Sequence, residues 1–93
     1  ILEKSIQIKM ISNSQIKSEI INYFKLGNPK LKNLKEFPTS ESLISLGYID
    51  SFGIIESISF LEKNFEIKIK EDEITLDNLS TIDLMARLVE RKL

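Results

Sequence analysis

One run near the middle of the chain, Leu46-Gly47-Tyr48-Ile49-Asp50-Ser51-Phe52-Gly53-Ile54-Ile55-Glu56, constrains the fold more than any other part. It reads as a tight turn, then an Asp-Ser pair open to solvent, then a helix that begins at the pair. Gly47 lets the backbone take a positive φ in the turn. Asp50 has the right chemistry for an N-cap, because its carboxylate can accept an N–H from the first helical turn. Ser51 then becomes the first helical residue, with its hydroxyl at the positive end of the helix dipole. Free amides and the dipole together favour a negatively charged group there, such as a phosphodiester. From Ile54 onward the spacing is helical: Ile54, Ile58, Leu61 and Phe65 form one apolar stripe.

The rest of the chain limits what that site can do. Its 93 residues make one small domain with a modest core. It has no cysteine and no histidine. Disulfides, thiolate metal sites and every Ser-His or Cys-His nucleophile are therefore absent, and no metal site is expected. No apolar run approaches the length of a membrane span, and no secretory signal is read. The first forty residues carry seven Lys and three Glu, and the remainder carries six Lys or Arg against eleven Asp or Glu. The lysines of the first part are scattered without interleaved aromatics, which argues against a nucleic-acid surface.

Taken in order, residues 1–11 read as an N-terminal extension, with Ile6, Ile8 and Met10 alternating as in an extended segment. Residues 12–93 read as the domain. Ser12 with Gln15 fits a capping box, and Ile16, Ile20 and Tyr23 or Phe24 form a stripe for a first helix from about Asn13 to Leu26. Gly27 is placed to cap its end, and Pro29 stops continuation. A long connection follows to Ser45, with Leu31, Leu34 and Phe37 as anchors and a short turn through Leu43 to Leu46. The second helix runs from Ser51 to about Asn64. Ile67 and Ile69 alternate in an extended link. Glu71 to Ile74 forms a short third helix or turn, after which Leu76 and Leu79 point to the core. Ser80 with Asp83 reads as a capping box for a last helix that reaches about Lys92 on Ile82, Met85 and Val89, with Leu84 and Leu88 beside them. The fold expected is all-α: a small four-helix bundle with a long first loop and a short third helix.

The Leu-Gly turn and Asp50-Ser51 pair resemble the phosphopantetheine-attachment site of the acyl carrier protein family. The resemblance spans about residues 14 to 92, including Phe65-Glu66-Ile67-Lys68-Ile69 and Asn78-Leu79-Ser80-Thr81-Ile82. It implies that Ser51 carries a covalent 4'-phosphopantetheine arm. Asp50 is then the acidic residue read by the loading phosphopantetheinyl transferase. The two residues between Gly47 and Asp50, and the Ser-Phe-Gly run, are more similar to D-alanyl carrier proteins and other stand-alone carriers than to general fatty-acid carriers. The implied partners are that transferase, an acyl- or aminoacyl-activating ligase and downstream acyl-processing enzymes. A cytoplasmic monomer in a specialised biosynthetic pathway is expected, with a carrier for general fatty-acid synthesis as the alternative subtype.

Each functional residue also has a plainer explanation. Serine near a helix start is common, and Asp50 can be a cap alone. Gly53 either keeps the surface beside Ser51 low or is a tolerated glycine near a helix end. Phe52 and Ile55 lie off the buried stripe and are assigned to partner contact, together with Glu56 and Glu62 on the polar side of the helix. No residue is assigned a catalytic role, so the domain is read as a cofactor-bearing protein and not as an enzyme. The competing reading is a helical interaction module that takes no arm.

Overall fold

The computed structural model describes residues 11–93, so of the extension read at residues 1–11 only Ile11 is described, packed against the core. Four α-helices are present among the described residues: α1 (Asn13–Gly27), α2 (Ser51–Phe65), the one-turn α3 (Leu76–Leu79) and α4 (Ile82–Lys92). A 3-10 turn at Glu71–Glu73 precedes α3, and the described residues contain no strand. No helix among them is long and apolar enough to cross a membrane.

Local chemistry sets the helix ends. The Ser12 hydroxyl accepts the Gln15 N–H at 3.2 Å while Gln15 Oε1 accepts the Ser12 N–H at 3.1 Å, which is the reciprocal box expected. The far end differs from expectation. Gly27 is the last helical residue, and Asn28 is the cap, with an extended φ of −139°. The Asn28 N–H reaches back to the Phe24 carbonyl at 3.1 Å, so a left-handed glycine is not needed. The start of α4 is also shifted by one residue. Thr81 is the N-cap, its hydroxyl accepting the Leu84 N–H at 3.0 Å, while Ser80 closes α3. Glu66 takes the left-handed conformation that ends α2, with φ 54°.

The expected stripes form the core. Ile16, Ile20 and Phe24 of α1 meet Ile54, Ile58, Leu61 and Phe65 of α2 and Ile82, Met85, Leu88 and Val89 of α4 in one buried cluster. Ser57 is buried among them, and its hydroxyl donates to the Ile54 carbonyl at 2.6 Å, which satisfies it locally. Tyr23 stacks on Phe60 at 4.2 Å between α1 and α2. Lys17 pairs with Asp83 at 2.8 Å between α1 and α4. That ion pair accounts for the otherwise unbonded buried oxygen of Asp83.

The long connection has little regular structure but is stitched down. Leu31 is buried, with Leu34 and Phe37 packed against the core. The Leu43 N–H donates to the Ser80 carbonyl and the Asp83 N–H donates to the Thr39 carbonyl, both at 2.9 Å. These two bonds fasten residues 39–43 to the junction of α3 and α4. The Asn28 amide donates to the Tyr48 carbonyl at 3.2 Å and ties the end of α1 to the turn before α2. Peptide groups of the loop are thereby paired although no element claims them.

One electrostatic contact closes the other end. Lys92 of α4 pairs with Glu73, whose carboxylate also accepts the Lys70 N–H at 2.8 Å. The hydrogen bond from Lys92, and then that from Lys70, hold the Glu73 carboxyl below the usual carboxylate range. A depressed carboxyl adds stability above its ordinary value and loses that contribution as pH falls through the lowered one. Glu73→Gln is therefore expected to be less stable than the native chain at pH 7, with the gap shrinking as pH drops below 4.5. Urea midpoints measured across that range check it.

Candidate functional site

The turn and helix start form as the sequence implies. Gly47 has φ +77°, a conformation that side chains resist. The Gly47 N–H donates to Ile44 O at 2.9 Å and the Tyr48 N–H to Leu43 O at 3.0 Å, closing the turn. Asp50 is extended, and its carboxylate accepts the Gly53 N–H at 2.9 Å. Ser51 is the first helical residue and is exposed. The amides of the first helical turn lack intrahelical acceptors by geometry, so those of Ser51 and Phe52 face the same end as the serine hydroxyl.

Gly53 has a firmer reason than either one considered from sequence. A Cβ there would sit 3.0 Å from Ile49 Cβ. Glycine lets the turn close onto the first turn of α2, and that closure fixes where Ser51 points. Asp50 separates into two testable parts. Asp50→Ala should cost about 1 kcal/mol of stability through the lost cap, whereas Asp50→Asn keeps an acceptor and should stay within a few tenths. Chemical denaturation of both variants measures the difference.

Phe52 and Ile55 are 66% and 54% exposed. Ile55 lines the same groove as Ser51. Leu76 of α3 is 60% exposed, although the sequence pointed it to the core. The reason is geometric: a one-turn helix buries one face only, and Leu79 takes it. Leu76 instead joins Ile44, Ile54, Ile55, Ile74 and Leu79 around a shallow apolar groove of about 180 Å³ whose edge includes Ser51. Ile44, Ile74 and Leu76 were not legible as site residues, because none lies on a stripe long enough to show a face.

The two glutamates part company. Glu56 is exposed on α2 and turned toward the end of α1, where it borders a second cavity with Tyr23. Burial, and then the Glu56 charge, raise the Tyr23 phenol above its ordinary value. Glu62 is half-buried, and its carboxylate accepts the Ile69 N–H at 2.9 Å. It anchors the link after α2 and points away from the Ser51 end. Among the described residues no group of three or more potential ligands is placed to hold a metal ion.

The site is thus an exposed serine at a helix start, capped by an aspartate and bordered by an apolar groove. No protein-family model matches this chain, and no curated protein or solved structure matches it significantly.

Proposed function

We propose that the chain is an acyl carrier of the stand-alone type, bearing 4'-phosphopantetheine on Ser51 and presenting an acyl or aminoacyl group to partner enzymes of a specialised pathway. The observation that carries this reading is the placement of Ser51. It is exposed at the first position of a 15-residue helix, beside an Asp50 that caps that helix. The amides at that end can face a phosphodiester on the serine oxygen, and the dipole favours its charge. The arm, once attached, supplies a terminal thiol that holds cargo as a thioester, which this cysteine-free chain lacks. Ile55, Ile74 and Leu76 offer apolar surface on which the arm or its cargo can rest. Phe52 and Glu56, both exposed on α2, provide an apolar and a charged contact for partner enzymes. The chain's own residues make and break no bonds in this scheme. They hold one serine in place, and the tether raises the effective concentration of cargo at each partner, to roughly millimolar for a short flexible link.

The test is intact mass after incubation with coenzyme A, Mg²⁺ and a broad-specificity phosphopantetheinyl transferase. A gain of one phosphopantetheine supports the carrier. A folded chain that gains nothing leaves the arm-free interaction module in its place. Asp50→Asn, folded by the measurement above, is expected to load far more slowly than the native chain, because the charge that the transferase reads is gone.

A further inference from the structure

A second cavity lies on the opposite side of the turn, between the end of α1 and the start of α2, with a volume of about 560 Å³. That is within the range of sites that take small organic ligands. Its chemistry differs from that of the apolar groove beside Leu76. Three aromatic side chains line it, Tyr23, Phe24 and Tyr48, and so do the carboxylates of Asp50 and Glu56, while no Lys or Arg does. Glu56 makes no hydrogen bond or ion pair among the described residues, yet its charge is felt at the Tyr23 hydroxyl. Glu56 and Tyr23 both line the cavity.

The chain has three glycines, and all three border this cavity. Gly47 is required by its positive φ, and Gly53 by its approach to Ile49. Gly27 is required by neither. It sits in the last turn of α1 without a left-handed backbone, and a Cβ added there meets nothing within 4 Å. A helical glycine is unfavourable relative to alanine. Gly27 lies at the rim of the cavity with open space where its side chain would be.

We infer that this cavity binds a small organic cation, a primary amine carried on an aromatic or aliphatic body. The carboxylates of Asp50 and Glu56 attract the ammonium, and the aromatic lining of Tyr23, Phe24 and Tyr48 offers apolar contact to the body. An anion of the same shape meets two negative charges and no cationic partner. This goes beyond the carrier reading and does not rest on it, because no arm is needed for the amine to bind.

The test uses the unmodified chain, labelled with ¹⁵N, and two probes of like body and opposite charge, 2-phenylethylamine and 3-phenylpropionate, at low salt. The amine is expected to shift the amides of Gly27, Gly47 and Gly53 saturably and to bind at least tenfold more tightly than the acid. Glu56→Gln, a change on the exposed helix face, is expected to weaken amine binding about tenfold, which corresponds to 1.4 kcal/mol. Gly27→Phe fills the mouth and is expected to abolish saturation, with circular dichroism reporting its fold. Equal affinity for the two probes, no effect of Glu56→Gln, or shifts that never saturate would each overturn the assignment.

Discussion

Ser51→Ala is expected to take up no phosphopantetheine at all, while folding as the native chain does. On the carrier reading the loss is complete, because the serine oxygen is the atom to which the arm would be joined, and the chain has no cysteine to substitute for it. The fold should be spared because Ser51 is exposed and its hydroxyl makes no hydrogen bond among the described residues. Alanine is also the best helix former, and the cap is supplied by Asp50. Stability should therefore change by no more than about 0.5 kcal/mol. Intact mass and urea unfolding on the same sample separate the two quantities. Uptake by the alanine variant would place the arm on another side chain and dismiss Ser51 from its role.

Phe65→Ala is expected to be the most damaging single change to the fold. Phe65 is the last residue of α2 and is 1% exposed. Its ring meets the edge of Phe60 at 6.2 Å, and Phe60 in turn stacks on Tyr23. Removing it deletes apolar contact and leaves a cavity, at a cost of about 3–5 kcal/mol. A domain of this size has little more than that in reserve. The melting temperature should fall by on the order of 20 °C. A fall of only a few degrees would mean that the helix end can collapse into the space.

The long helices were readable because their information is local and repeated. Ile16, Ile20 and Phe24, or Ile54, Ile58, Leu61 and Phe65, each state a buried face several times over, and every one of them is buried. The turn at Gly47 and the cap at Asp50 were readable because each depends on one residue type at one place. What failed depended on which neighbour arrived first. Gly27 could cap α1, but Asn28 reaches the same carbonyl with an ordinary backbone. Ser80 and Thr81 are equally good caps by composition, and α3 takes Ser80. Glu62 reads in the sequence as a partner-contact charge on the polar side of the helix, and only the path of the link after α2 brings the Ile69 amide to it. Both concave surfaces near Ser51 join residues distant in sequence, such as Tyr23 with Glu56 and Ile44 with Leu76, so no local pattern announces them.

The stitching of the long loop has a consequence for how the protein is made. Residues that lead into the Ser51 turn are fastened by Leu43 to Ser80 and by Thr39 to Asp83. While the chain is being synthesised, α1 and α2 can leave the ribosome and pair. The end that displays Ser51 still waits for partners some forty residues further on. The loop that leads into it is fully fastened only once the nascent chain has released the start of α4.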